Sequence, residues 1–394
     1  MSLQVTSWFL EQLALKTSEP VRTITIAGSD YSDRVVKWPK FKRTWDMVRP
    51  TDLAITLANE DQVMNFFVNT PTNLRADCIL SFGFSHPTSG DELITMYQGT
   101  VQRAQYNRGA CTLRMLDKMK AFTERTVGDR DSPVTFSHEL PSTIGWTLCT
   151  CYGGLSNIGS DSNPDIEYDT WLSWAAVFSA DNVLMSAQFD GLKVSEALKR
   201  LAHMTDSAIF NEHGNIEFRR FSEIDSNSTL LGDDHIMNVG LTVDDSEIVN
   251  RQFVWGGYDV TSDQWALQAL QVESSSVNSF GTREHILKDN AMWYVDSSSA
   301  LNMAQRRISN LAEPIERYVV DTVLVPLNRS LGETIKISDA FLGVSSIGLR
   351  LMASEIDMNT GRMKLDVDAS RLLSPFTLDD AYLGLLDQDY NLLL

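Results

Sequence analysis

Period-two alternation in the first third of the chain does most to limit what this sequence can fold into. Ile24 and Ile26 alternate with Thr23 and Thr25, and Leu53, Ile55 and Leu57 with Ala54 and Thr56; Leu80, Phe82 and Phe84 repeat the pattern. Successive side chains of a strand point to opposite faces, so each run presents one face to a core. The turn-rich stretch His86-Pro87-Thr88-Ser89-Gly90-Asp91 separates the third run from a returning meander over 93–101 and 111–115. Short strands at this spacing predict a β-barrel or sandwich.

From about 135 to 224 the pattern changes. Val194, Ala197, Leu198, Leu201 and Met204 recur at helical spacing after Gly191, which predicts an amphipathic helix. The runs 208–212 and 215–218 flank His213-Gly214, and two residues ending in glycine predict a tight hairpin. Pro, Gly, Ser and Asn cluster over 153–164 as a surface loop. The last third returns to β with one helix. Ser297, Ser298 and Ser299 offer its N-cap, Ala300, Met303, Ala304, Ile308 and Leu311 line one face, and Pro314 ends it. Residues 318–325 read as a central strand apolar on both faces. The runs 334–338 and 363–368 alternate, with Asn359-Thr360-Gly361 as a hairpin turn. No fixed-period repeat is visible.

A chain of 394 residues is too long for one ordinary core. The expectation is a mainly β protein with an α+β insert. It comprises a β-barrel domain over 1–134, an insert with a helix-hairpin unit over 135–230, a second β-barrel with one helix over 231–372, and an acidic tail over 373–394, read as a short docking helix. No apolar run approaches the ~20 residues that span a bilayer, and the first residues lack the basic and apolar regions of a signal peptide. Folding in a reducing cytoplasm, without membrane insertion, is the expectation, with the four cysteines as free thiols. The sequons at Asn227 and Asn328 are then chance matches.

The net charge of −19 is uneven: 16 basic and 15 acidic side chains lie up to Asp131, and 17 basic and 37 acidic after it. Such a surface disfavours binding to nucleic acid phosphates or anionic membranes.

Catalytic patterns are incomplete. Asp161, Asn163 and Asp165 begin like a calcium loop, but Ile166 stands where that loop needs glycine and Leu172 where it needs glutamate. Asp161, Asp165, Glu167 and Asp169 beside Trp171 and Trp174 supply the paired carboxylates and stacking rings of a glycan-acting cleft. The plainer reading is a solvated acidic loop leading into an apolar helix or strand. Cys149 and Cys151 form a C-x-C pair without a second Cys or His pair at zinc spacing. The pattern G-x-S-x-G is missed by one residue at 154–159 and again at 343–348. His203 reads as a helix-flank residue and His213 as a turn residue. Nine tryptophans suit cores and subunit interfaces. Sequence therefore assigns no catalytic residue, no cofactor and no metal.

Several short motifs, in order, resemble the hub proteins at the tip of long-tailed bacteriophage tails. Ile26-Ala27-Gly28-Ser29-Asp30-Tyr31-Ser32 with Trp38 resembles their opening strands, and Tyr97-Gln98-Gly99-Thr100-Val101 the strand closing the first barrel. Phe189-Asp190-Gly191, the helix and the hairpin ending Glu217-Phe218-Arg219-Arg220-Phe221 resemble the unit in their insert. Asn250-Arg251-Gln252-Phe253-Val254, Asn278-Ser279-Phe280-Gly281 and Leu331-Gly332-Glu333-Thr334-Ile335 resemble parts of the second barrel. The resemblance implies two tail-tube-like β-barrels and a homotrimer presenting six barrels to a six-fold tube. It implies a virion location at the tail tip. The implied partners are a tail tube or distal tail protein, the tape measure protein and a central tip or fibre protein. DNA would pass through the lumen during ejection without specific binding, past strand-borne Asp and Glu. The alternative is a glycan-binding or glycan-hydrolysing tail-associated protein using the region from Asp161 to Trp174.

Overall fold

The computed structural model describes residues 5–15, 19–45, 48, 50–156, 165–220, 229–232 and 234–368. Helix α1 (Ser7–Ala14) opens on Thr6, whose side chain accepts the Phe9 N–H, and buries Phe9 and Leu13. Then come β1 (Val21–Ile26), β2 (Ser29–Asp30), β3 (Val35–Lys37), β4 (Lys40–Thr44) and β5 (Asp52–Ala58). After α2 (Phe66–Asn69) the chain forms β6 (Asp77–His86), β7 (Gly90–Asn107) and β8 (Ala110–Asp117). Seven of these strands make one antiparallel sheet in the order β2-β1-β6-β7-β8-β5-β3. Ile24, Ile26, Leu53, Ile55, Leu57, Leu80, Phe82 and Phe84 all face its core, as the alternation requires. Register shifts beside Leu80 and Val101 interrupt the ladder along β7, and such bulges increase local twist and bend a strand.

The middle of the chain holds α3 (Lys120–Glu124), β9 (Thr126–Val127), β10 (Val134–Glu139), α4 (Pro141–Thr147, running into a π-helical turn over Leu148–Tyr152) and α5 (Tyr168–Ala180). It continues through β11 (Met185–Phe189), β12 (Leu192–Lys193), α6 (Val194–Met204), β13 (Ser207–Glu212) and β14 (Asn215–Arg220). The expected amphipathic helix is α6, with Val194, Ala197, Leu198, Leu201 and Met204 buried. The expected hairpin is β13–β14. Most of the loop expected over 153–164 lies outside the described residues.

The remaining strands are β15 (Thr229–Leu231), β16 (Ile236–Asp244), β17 (Arg251–Asp259), β18 (Gln264–Val272), β19 (Glu284–Leu287), β20 (Met292–Tyr294), β21 (Ile315–Thr322), β22 (Thr334–Asp339), β23 (Val344–Asp357) and β24 (Arg362–Asp368). Helices α7 (Ser274–Phe280) and α8 (Ser297–Leu311) lie among them. A second seven-stranded sheet runs β15-β22-β23-β24-β21-β16, with β4 pairing to β23. A six-stranded sheet runs β10-β11-β20-β17-β18, with β19 on β17.

The protein is thus mainly β, with two curled half-barrel sheets and an α-containing insert. Pairing crosses the segment boundaries expected from sequence: β4 joins the second half-barrel, and β17–β20 join strands of 134–189. Two buried clusters follow. One unites the inner faces of both half-barrels; the other unites the helices and the six-stranded sheet, including Ala300, Met303 and Ala304 of α8.

Two local expectations need correction. The N-cap of α8 is Asp296, whose carboxylate accepts the Ser299 N–H at 2.8 Å, and the three serines are already helical. Strand β21 ends at Thr322, and Val319 is exposed beside buried Tyr318 and Val320. Its apolar run alternates after all, because no described residue covers one sheet face at Val319. The acidic tail lies outside the described residues.

Candidate assembly surfaces and the junction that fixes them

The β13–β14 hairpin touches both cores. Ala208 and Phe210 point into the cluster of the half-barrels; Ile209, Ile216 and Phe218 point into the other. His213 (φ 52°) and Gly214 (φ 90°) make the turn. Glycine suits Gly214 because of its φ of 90°, and a Cβ there would also force Gln98 of β7 to shift, since Gln98 Oε1 would lie 2.6 Å away.

Charged residues cluster, buried or half-buried, beside this tip. Arg43 of β4 pairs with Glu212 of β13, donates from Nε to Ser354 Oγ of β23 (2.9 Å), and reaches the Arg329 carbonyl (3.4 Å). The second oxygen of Glu212 accepts the Leu331 N–H at 3.2 Å. Arg219 Nε donates to Glu217 at 2.9 Å, and its Nη1 lies 3.7 Å from Glu333, which also accepts the Ser330 N–H at 3.2 Å. Burial pushes the Glu217 carboxyl up, and Arg219 opposes that shift. Buried charges persist when paired and hydrogen-bonded; each charge of this network has an opposite partner, although Arg219 Nη2 has no hydrogen-bond partner among the described residues, and the network ties three distant segments together. His213 Nδ1 donates to the Thr95 carbonyl of β7 at 2.7 Å, which leaves Nε2 as the acceptor facing Arg43 at 3.5 Å. Burial first, then the Arg43 charge, lowers the His213 imidazole to about 4, so it is neutral at pH 7.

The outer faces of the two half-barrels differ. On the second, cross-strand neighbours form a row of alternating charge, Lys42–Glu355–Lys364–Asp321–Asn238, with Lys40–Asp357–Arg362 alongside. Lys40 Nζ lies 3.6 Å from Glu355 and 3.4 Å from Asp357. The first presents rows such as Thr23–Ser81–Thr95 and Gln105–Thr112–Thr56, with a hydroxyl contact of 3.0 Å between Thr56 and Thr112.

Sheet edges differ too. The first half-barrel ends on strands of two and three residues. The second ends on β16, nine residues long, with Met237, Leu241 and Val243 exposed. The six-stranded sheet ends on β18, also nine residues, with Leu270 and Val272 exposed. A long strand with unpaired backbone groups and apolar side chains is a template for another strand.

The residues singled out for chemistry do not converge. Asp161 and Asn163 lie outside the described residues. Asp165 pairs with Lys118 (2.9 Å) and accepts the Ser156 N–H (2.8 Å); burial raises its carboxyl, but these contacts outweigh that and hold it below the usual range. Asp169 is exposed in the first turn of α5. Trp174 is 1% exposed, donates to Ser207 Oγ at 2.9 Å and packs on Phe178 and Phe218. It belongs to the core and offers no sugar platform. Trp171 stacks toward Trp146 and Tyr168. Cys149 is buried and Cys151 exposed, so the two thiols do not share an environment. Among the described residues, no group of three or more His, Cys, Asp or Glu is placed to hold a metal ion.

Sequence reading missed the junction. The available signal was three charged side chains, Glu217, Arg219 and Arg220, in a short hairpin strand beside the apolar Ile216 and Phe218.

No family model matches the chain, and no curated protein matches it. Its structure is similar to the 43 kDa tail protein of prophage MuSo2 from Shewanella oneidensis, with a TM-score of 0.54 and 13% identity over 89% of this chain and 98% of that one. It is also similar to the prophage tail protein gp18 from Listeria monocytogenes, with a TM-score of 0.51 and 10% identity over 94% of this chain and 99% of that one. The chain has the fold of these phage tail proteins. Both likenesses run across nearly the whole of each chain, so they include the insert as well as the half-barrels.

Proposed function

We propose that this chain is a structural subunit of a phage tail tip, a hub that joins the tail tube to the tip and surrounds the path of the DNA. The observation that carries this reading is the pair of curled seven-stranded sheets in one chain, sharing a core and held at fixed orientation by the hairpin junction. Two such sheets per subunit suit a ring in which three copies present six half-barrels to a six-fold tube. The open strands β16 and β18 are the places for neighbours: other copies of the chain, a tail tube or distal tail protein, and a central tip or fibre protein. The tape measure protein and then DNA occupy the lumen. No observation favours a glycan-acting cleft between Asp161 and Trp174.

The outer face of the second half-barrel fits a lumen wall. Its cations alternate with carboxylates, so no basic stripe is available to hold phosphates as DNA passes. Duplex contacts are screened beyond about 8–10 Å at physiological salt.

Image reconstruction of assembled tips tests the reading. It should show three copies with the Lys42–Glu355–Lys364 row toward the axis, and Val243→Lys on β16 should leave folded subunits that fail to enter the ring. A chain present in the tail as a single copy, with its sheets away from the axis, overturns it.

A further inference from the structure

The far end of the six-stranded sheet carries an aromatic wall. Gly257 adopts φ 61°, a conformation that favours glycine, and the strand turns so that residues of opposite parity approach one ring. Trp255 and Tyr258 of β17 bring their rings 6.4 Å and 4.7 Å from that of Trp265 on β18. Tyr258 also meets buried Trp293 at 5.3 Å, edge to face. Trp255, Tyr258 and Trp265 are only half-buried, so part of each ring meets solvent. The Lys288 ammonium lies 5.4 Å and 5.1 Å from the Trp255 and Trp265 ring centres, within the range of cation–π attraction.

Beside Trp265 opens a cleft of about 550 Å³ that includes Asp263, Lys288, Asp289, Asn290 and Arg200. Its volume is in the range of small-molecule sites, but the cleft is open to solvent and lined more by polar than by apolar groups. Its polar groups are positioned. Tyr258 Oη donates to Asp263 at 2.8 Å, and Asp263 itself is held at φ 53°. Asp289 accepts from Arg200 Nη1 and from the Ala291 N–H, both at 2.8 Å. Glu196 on the rim lies 3.8 Å from both Arg200 and Lys199. Acids and bases are interleaved, so neither a free anion nor a free cation is strongly favoured. A ligand with one apolar face and a rim of hydroxyls matches both the indole and the mixed donors and acceptors.

We propose that this cleft binds a saccharide. A pyranose takes the place of the Lys288 ammonium over the Trp265 indole and lays its C–H face there, and its hydroxyls bond to Asp263, Asn290 and the displaced Lys288. The site is separate from the hairpin junction and from the outer face assigned to the lumen; Trp265 stands at the start of β18, and the exposed Leu270 and Val272 offered to neighbours lie at the strand's other end.

Titration of the whole protein with uncharged oligosaccharides, the 1,4-linked oligomers of glucose and of N-acetylglucosamine, tests this through tryptophan fluorescence and saturation-transfer NMR. At least one series should bind saturably, with transfer strongest to ring C–H protons. Trp265→Ala should weaken binding tenfold or more and Asp263→Asn several-fold, while Trp265→Tyr retains part of it with an unchanged near-UV circular dichroism spectrum. The tyrosine variant keeps the test valid where the alanine variant is destabilised. Absence of saturable binding to every oligomer overturns the proposal. So does binding that Trp265→Ala and Asp263→Asn leave unchanged, or a Trp265-dependent self-association in place of sugar binding.

Discussion

The two half-barrels are built from the same number of strands by different routes. The first is assembled from strands that lie within residues 21–117, its long members are sequential antiparallel neighbours, and its edges are two short strands. The second gathers β4, β15, β16 and β21–β24 from segments more than three hundred residues apart, and among the described residues the nine-residue β16 has no strand on its outer side. Local pairing needs only short loop closures. Distant pairing depends on something that holds the segments in register, and the buried charges around the hairpin do this. Arg43 on β4 meets Glu212 on the hairpin and Ser354 on β23 in one contact set. The region with the least local sheet is therefore the one with the most buried charge.

The largest expected effect strikes that dependence. Arg43→Met leaves Glu212 buried without its partner, and losing one member of a buried pair costs about 3–5 kcal/mol. Denaturant unfolding should show that loss, while Arg43→Met with Glu212→Gln in the same chain recovers a substantial part of it. A comparably sized change on the local sheet's surface, Thr112→Ala, should stay within about 0.5 kcal/mol. If Arg43→Met were equally mild, the second half-barrel would hold its register without the junction and the contrast would fail.

Much of the first half-barrel was legible because each strand carries its own period-two signature and meets a neighbour close in sequence. The insert helix and hairpin were legible for the same reason. Strand β4 was not: Lys40, Lys42 and Arg43 surround Phe41, and a strand with one apolar residue does not announce a core face. Its partner lies more than three hundred residues away. The assignment of β17–β20 to the insert's core was hidden likewise, since alternation reports that a face is buried but not against what. At the acidic run, residue types offered a cleft as an alternative to a solvated loop, and in the structure Trp174 is committed to packing and Asp165 to Lys118. Composition does not distinguish a ring that stacks on a sugar from one that fills a core.

A second prediction sharpens the contrast through pH. His213 links the junction to β7 of the first half-barrel, and its folded value of about 4 lies below the ordinary imidazole value of 6.5. Between those values the unfolded chain binds more protons than the folded one, so stability falls as pH drops from 6.5 toward 4 and is fully present above 6.5. The shift corresponds to roughly 3 kcal/mol. His213→Asn, which tolerates the turn's positive φ, should flatten this part of the curve by comparison with the native chain. Asp117 works with the opposite sign: burial raises its carboxyl to about 6, so its contribution improves as pH falls across that value. The difference between native and variant curves isolates His213. Identical slopes from pH 7 to pH 4 would mean that the hairpin tip is hydrated and does not clamp the two half-barrels.

The smallest effect on stability, and the most direct on function, comes from the outer faces. Glu355 and Asp321 are partly exposed members of the charged row, and Glu355 pairs with Lys40, itself 60% exposed, so reversing both to lysine should change unfolding free energy by no more than about 1 kcal/mol. If the second half-barrel's outer face lines the lumen, the reversal turns an alternating row into a basic patch beside Lys42 and Lys364. Phosphates would be held there, and ejection measured by dye release from assembled particles should slow while tail assembly proceeds. Added salt should restore the rate, since the attraction depends on counterion release. The matching change on the first half-barrel, Thr23→Lys with Thr95→Lys, places two cations on a hydroxyl face with no adjoining row of lysines. Slowing confined to the first pair assigns the charged face to the DNA path. Equal slowing by both pairs removes any distinction between the faces, and no slowing by either removes both from the lumen.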